Sequence, residues 1–194
     1  MKRVAIFSGS FNPIHIGHLA VANYVCEYEE VDELWFVLSP QNPLKQGRQQ
    51  LADSHRLAMI KHAIEGYAHF KCCDVELHLP RPSYTIRTLE TLKEQYPDCR
   101  FVLLIGADNW DLIDCWKESQ RIINEFGLIV YPRKGYGAGL SGKPHLPSVK
   151  VSRAPELEVS STFVREAIRA GKDIRYFLPE KVYAYIQKNH CYEN

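Results

Sequence analysis

The sequence predicts an α/β chain built on a doubly wound parallel sheet. Three observations carry that reading. Short apolar runs recur between amphipathic segments, strand-type and helix-type patterns alternate along the chain, and a glycine-bearing loop joins the first apolar run directly to a helical pattern. That order calls for right-handed βαβ crossovers, with ligands in the crevice beyond the carboxyl ends of the strands.

Val4-Ala5-Ile6-Phe7, closed by Ser8-Gly9, reads as a buried parallel strand, too short and too uniformly apolar for a helix. Gly9 permits a tight turn and Asn12-Pro13 marks a loop. Leu19, Ala20, Ala22, Asn23 and Val25 then fit a helix starting near Gly17. Further strand-like runs lie at Glu33 to Leu38, His69 to Val75, Phe101 to Ile105 and Phe126 to Tyr131, with a weaker one at Val149 to Val151.

Asp53 is placed to cap a helix through Leu57, Met59, Ile60, Ala63 and Ile64, and Ser83 or Thr85 opens another through Ile86, Leu89, Leu92 and Tyr96 before Pro97. Ser160, Ser161 or Thr162 caps a helix running through Phe163, Val164, Ala167 and Ile168 to Gly171, with Arg165 one turn in. Ile174 to Asn189 reads as a terminal helix with Pro179 in its first turn. Arg133 to Pro147, carrying Gly135, Gly137, Gly139, Gly142 and Pro144, reads as a mobile surface loop near the site. No repeats or linkers interrupt the chain. A single domain spanning 1–194 is expected, with 160–194 as a small helical C-terminal part.

With 194 residues and 45% hydrophobic content, the chain can bury roughly 70% of its unfolded surface. Its 24 basic against 23 acidic residues leave no electrostatic footprint for nucleic acid or an anionic membrane. No apolar run approaches the ~20 residues needed to span a bilayer. Cys26, Cys72, Cys73, Cys99, Cys115 and Cys191 lack zinc-type spacing and no secretory signal precedes them, so reduced thiols in a cytoplasmic protein are expected. The eleven tyrosines are compatible with a homo-oligomer and do not require one.

The chemistry concentrates between Gly9 and His18, Gly-Ser-Phe-Asn-Pro-Ile-His-Ile-Gly-His. A helix starting there presents N–H groups without intrahelical partners and the positive end of its dipole, so an anion is favoured. His15 and His18 stand three residues apart at this junction and can both donate hydrogen bonds to a polyphosphate. A metal would need three or four ligands, and no Cys or carboxylate stands nearby at suitable spacing, so no metal site is assigned. Ser160 to Arg165 offers a second helix N-terminus with hydroxyl donors and a guanidinium, and two such termini can clamp one triphosphate.

These ten residues resemble the signature of the nucleotidylyltransferase superfamily, although His-Ile-Gly-His at 15 to 18 also matches class I aminoacyl-tRNA synthetases. Val159-Ser160-Ser161-Thr162-Phe163-Val164-Arg165 decides between them: it is similar to the Ile-Ser-Ser-Thr-x-x-Arg motif of pyridine-nucleotide adenylyltransferases. No Lys-Met-Ser-Lys-Ser-like segment follows, and 194 residues leave no room for a tRNA-binding domain.

The resemblance to bacterial nicotinate-nucleotide adenylyltransferases covers nearly the whole chain and implies a Rossmann-like nucleotidyltransferase fold. It implies transfer of AMP from ATP, a substrate, to nicotinate mononucleotide, giving deamido-NAD and pyrophosphate in NAD biosynthesis, with Mg²⁺ brought by the ATP. His15, His18 and Arg165 would then be catalytic. Gly9, Ser10, Phe11, Lys45, Gly106, Asp108, Ser161 and Thr162 would bind ATP, and Tyr84, Thr85, Trp116 and Arg133 the acceptor. Trp116 matches an aromatic that stacks on the pyridine ring, and Arg133 a residue that holds the mononucleotide phosphate. Asp108 could equally cap a helix before Trp110, Leu112 and Ile113. Arg87 stands where the family usually has Asp, and Asn12, where the bacterial family usually has Asp, resembles the eukaryotic enzymes that accept nicotinamide mononucleotide as well. A non-catalytic nucleotide sensor is the alternative from another class.

Overall fold

A computed structural model of the chain describes residues 1–40, 50–136 and 146–193. Among these, β1 (Lys2–Gly9), β2 (Glu33–Leu38), β3 (Phe70–Cys73), β4 (Cys99–Gly106), β5 (Leu128–Tyr131) and β6 (Val149–Val151) form one sheet in the order β3-β2-β1-β4-β5-β6. Every pairing is parallel. The order runs outward in one direction from β1 and in the other from β4, so their adjacent carboxyl ends, at Gly9 and Gly106, mark the switch point where a doubly wound sheet opens its ligand crevice.

Alternation along the strands divides the side chains between two layers. Ala5 and Phe7 of β1, Leu34, Phe36 and Leu38 of β2, Val102 and Leu104 of β4 and Ile129 of β5 enter one core, which also takes in Val21, Ala22, Val25, Met59, Ile60, Val164, Ile168, Val182 and Ile186. The helices supplying those residues are α1 (Ile16–Tyr28), α2 (Asp53–Ile64), α6 (Ser161–Arg169) and α7 (Glu180–Lys188). Val4, Ile6, Trp35, Val37, Phe101, Leu103, Ile105, Leu128 and Val130 face the other core. There they meet Ile86, Leu89 and Leu92 of α3 (Thr85–Gln95), Trp110 of the short α4 (Ala107–Trp110), and Ile122, Ile123 and Phe126 in the turn following α5 (Ser119–Arg121). Burial on both faces is why the central strands read as unbroken apolar runs.

The expected strands are present with tighter limits. Val75 leaves the third strand to begin a 3₁₀ turn (Val75–His78), and Phe126 belongs to a π-helical turn (Ile122–Phe126) closed by Gly127 at φ +79°. The expected helix over 174–189 is broken. Arg175–Phe177 forms one 3₁₀ turn, Leu178 is extended at φ −127°, and Pro179 precedes the first helical residue of α7. The proline ring disfavours helical geometry in the residue before it, which separates the two pieces. Ala52, not Asp53, caps α2, and Tyr84 occupies the cap position of α3. Much of the glycine-rich loop, 137–145, and Lys45 lie outside the described residues.

Candidate active site

The loop from β1 into α1 is held from below. Phe11 takes a left-handed backbone at φ +42° and is buried in edge-to-face contact with Phe7, Phe36 and His18. A Cβ at Gly9 would lie 3.0 Å from the Phe11 ring, so the bare glycine is what admits that ring beneath the loop. Arg56, 1% exposed, donates through Nη1 to the carbonyls of Ser10 at 2.7 Å and Ser39 at 3.0 Å, and through Nε to that of Leu51 at 3.0 Å. Its remaining arm pairs with Asp53. A buried guanidinium satisfied this fully is a staple that fixes where the Ser10 peptide stands.

His15 caps α1 from an extended backbone at φ −145°. Its ring is 3% exposed, and a Cβ at residue 17 would stand 3.1 Å from Nδ1, so Gly17 makes room for it. Burial, reinforced by the Arg133 charge, lowers the His15 pKa to about 4. The imidazole is therefore neutral at pH 7. His18 stacks on it and accepts the His15 backbone N–H through Nδ1 at 3.3 Å. This assigns the His18 proton to Nε2, as a donor suited to a phosphate oxygen.

The second helix terminus meets the same loop. Ser160 caps α6 by accepting the Phe163 N–H at 3.1 Å, and the Ser161 hydroxyl donates to the Pro13 carbonyl at 2.9 Å. Arg165 donates to the Asn12 carbonyl at 2.8 Å and to Thr162 Oγ1 at 3.1 Å. Residues 148 and 153 positions apart thus stand together, with Ser161 engaged in tying the two segments to each other.

At the end of β4, Gly106 caps α4, and Asp108 lies in its first turn without capping it. A Cβ at Gly106 would collide with Asp108 Oδ1 and come within 2.9 Å of Arg133. The bare glycine thereby admits the Asp108–Arg133 ion pair, 2.8 Å long, at the switch point.

Two clefts open among these elements. One is lined by Ser8, Gly9, Ser10, Tyr84, Thr85 and Trp116. The other is lined by His15, His18, Tyr131, Arg133 and Ser160. Arg133, expected with the acceptor residues, therefore lies on the histidine side. Buried polar atoms without a hydrogen-bond partner gather here: His15 Nδ1 and Asp108 Oδ1 on one side, Ser83 Oγ and Trp116 Nε1 on the other. Buried polar groups are normally satisfied, so their concentration around one crevice points to a polar ligand.

Three contributors escaped sequence reading. Arg56 received no role from the sequence, though Met59 and Ile60, three and four residues on and on the same helix face, were a signal of burial. Glu76, 2% exposed, accepts from Ser8 at 2.9 Å and Thr88 at 3.1 Å, joining the end of β1 to α3 at the base of the Tyr84 cleft. Burial raises its pKa against those hydrogen bonds and a further one from Ser39. Tyr192 reaches Asn12 Oδ1 at 2.8 Å from 180 residues away, and no local pattern signals that contact.

The family model for cytidylyltransferase-like proteins matches residues 6–167. The chain is 52% identical over 186 residues to a probable nicotinate-nucleotide adenylyltransferase of Bacteroides thetaiotaomicron, covering 96% of this chain and 91% of that protein. It is 54% identical over 181 residues to the corresponding protein of Bacteroides fragilis, covering 93% and 89%. In fold it resembles the Plasmodium falciparum nicotinic acid mononucleotide adenylyltransferase complexed with NaAD, with a TM-score of 0.84, 23% identity, and coverage of 100% of this chain and 98% of that one. No helix among the described residues is long and apolar enough to cross a membrane. On the strength of the sequence relationships, the chain belongs to the cytidylyltransferase-like family and, within it, to the nicotinate-nucleotide adenylyltransferases.

Proposed function

We propose that the chain transfers AMP from ATP to nicotinate mononucleotide, releasing pyrophosphate and forming deamido-NAD, as a single-domain cytoplasmic enzyme. The observation that carries this reading is the meeting of two helix N-termini, α1 and α6, at the switch point, beside a separate cleft lined by Tyr84, Thr85 and Trp116. An acceptor phosphate oxygen attacks the α-phosphorus of ATP and pyrophosphate departs, so the protein's work is positioning and charge stabilisation, and a covalent intermediate is not required.

In this mechanism His15 and His18 donate N–H groups to α- and β-phosphate oxygens. Arg165 and Thr162 hold the departing pyrophosphate, while Gly9 and Ser10 let the loop backbone approach. Ser161 contributes by fixing Pro13, and Lys45 is assigned to the ATP phosphates from its sequence motif alone. Phe11 supports the loop from beneath. Trp116 stacks on the pyridine ring, and the α3 N-terminus at Thr85 reads its carboxylate. Arg133, on the histidine side and paired with Asp108, is a cation that can reach a substrate phosphate, and the Asp108 carboxylate can accept from ribose hydroxyls.

Among the described residues no three His, Cys, Asp or Glu side chains converge as metal ligands. Asp108 offers a single carboxylate, whose Oδ1 is buried and unpaired. Such a donor set fits Mg²⁺ that would arrive on ATP, with Asp108 as the protein group that would hold it. When bound, the ion neutralises phosphate charge. Asn12, whose identity raised the nicotinamide acceptor, spends its Oδ1 on Tyr192 and on the Leu51 N–H within the loop, so it gives that reading no support.

Pyrophosphate release with ATP and Mg²⁺, compared for the two mononucleotides, tests the assignment. A preference of 100-fold or more in kcat/KM for the acid, about 2.7 kcal/mol, is expected. Comparable values would indicate dual specificity. ATP binding without release for either would make the chain a nucleotide sensor.

A further inference from the structure

The residues that follow α7 turn back beneath the phosphate loop. Asn189 ends the helix, His190 adopts φ +50° and Tyr192 φ +70°, and the Cys191 N–H donates to the Ile186 carbonyl at 3.1 Å. A bulky residue in the left-handed region is uncommon and strained, so something must hold Tyr192 there. Cys191 at 3% exposure and Tyr192 at 8% both pack into the core that contains Phe11 and Ile14. Burial keeps the Tyr192 phenol protonated, and its hydroxyl donates to Asn12 Oδ1 at 2.8 Å.

Asn12 is itself a junction, 4% exposed. Its side-chain oxygen also accepts the Leu51 N–H at 3.4 Å, and its main-chain oxygen accepts Arg165 Nη1 at 2.8 Å. The next carbonyl, that of Pro13, accepts Ser161. The C-terminal turn, the segment entering α2, and α6 therefore all meet on one residue standing between Ser10 and His15. A strained turn kept in place by a buried hydrogen bond to such a junction is overbuilt for a helix end that needs only to stop.

We propose that Tyr192 is a positioning residue for adenylyl transfer: through its hydrogen bond to Asn12 it sets the β1–α1 loop so that His15, His18 and Arg165 face the same triphosphate. The inference rests on the proposed phosphate-binding role of that loop. It also gives Asn12 a task distinct from contact with substrate, since its polar atoms named above are spent inside the protein.

Tyr192→Phe keeps the packed ring and deletes only the hydroxyl. We expect kcat to fall about 5- to 30-fold, as for a modest misplacement of reacting groups. The KM for the mononucleotide should stay within roughly twofold, and calorimetric ATP affinity, measured without acceptor, should weaken severalfold. In an Asn12→Ala background the same substitution should add less than about a twofold effect, because the route is already cut. Asn12→Asp retains an acceptor for Tyr192 and should hold kcat within about threefold, which keeps the test open should Tyr192→Phe fold poorly.

Wild-type kcat and ATP affinity in Tyr192→Phe would overturn the proposal, as would an undiminished loss in the Asn12→Ala background, or a fall in Asn12→Asp as deep as in Asn12→Ala. If the wild-type chain releases no pyrophosphate with either mononucleotide, the proposed reaction fails, while the ATP-affinity comparison still decides the role of Tyr192.

Discussion

The His15 and His18 rings stack with centroids 3.7 Å apart and 26° between their planes, and His18 Nδ1 accepts the His15 backbone N–H. Two charged imidazoles at ~4 Å would repel by about 4 kcal/mol at an effective dielectric of 20. His15, held neutral at pH 7 by burial, therefore stacks against His18 without that repulsion, and both rings stand at the positive end of the α1 dipole.

His18→Ala removes one donor and leaves the buried ring of His15 in place. The expected loss in kcat/KM is roughly 2 to 4 kcal/mol, about 30- to 1,000-fold, comparable to deleting one oxyanion donor. A steady-state pyrophosphate assay reads it, and an unchanged value would exclude His18 from the transition state.

Stability should fall on mild acidification because of His15. Its pKa is about 4 in the folded chain, against about 6.5 unfolded. Between those values the unfolded chain binds more protons, so stability present above pH 6.5 is lost progressively down to pH 4, by roughly 3 kcal/mol at full extent. Glu33, whose hydrogen bonds from Lys2, Trp35 and Lys71 outweigh its burial and hold its pKa at about 2, and Asp173, lowered to about 2 by hydrogen bonds from Arg175, lose their contributions at lower pH, below about 4.5. Urea unfolding of wild type and His15→Gln at pH 7.5 and 5.5 isolates the effect: the variant should show the flatter dependence. A bound polyphosphate favours the charged ring, so ATP binding near pH 5.5 should take up a proton, visible as a buffer-dependent calorimetric enthalpy.

Gly106→Ala should disturb the Asp108–Arg133 pair more than the sheet. The added methyl meets Asp108 Oδ1, the Arg133 side chain at 2.9 Å and Tyr131 at 3.1 Å. We expect roughly 1 to 3 kcal/mol of destabilisation from overpacking. Activity should fall at least tenfold at temperatures where the variant is still folded. Retained activity with an unaltered melting temperature would show that the pair can shift without consequence.

Much of the molecule was legible as local chemistry. The strands had to be apolar throughout because both faces of a parallel sheet are covered, and Gly9, Asn12-Pro13 and the two His side chains pointed to the anion site proposed above because a helix terminus favours an anion wherever it lies. Ser160 could be read as a cap for the same reason, and it accepts the Phe163 N–H. Ends were less readable. Pro179 signalled a helix start, yet the break it forces at Leu178 split a segment that periodicity had joined.

Only the folded chain decided which distant groups share an environment. Arg56 carries the same guanidinium as exposed Arg87, but packing beneath the loop turns it into a buried staple on Ser10 and Ser39. Glu76 and Tyr192 acquire their partners across long stretches of sequence, and Arg133 joins the histidine side of the crevice through Asp108. Spacing along a chain reports neighbours within a turn or a strand, whereas burial and pKa follow from what the sheet order brings to one edge.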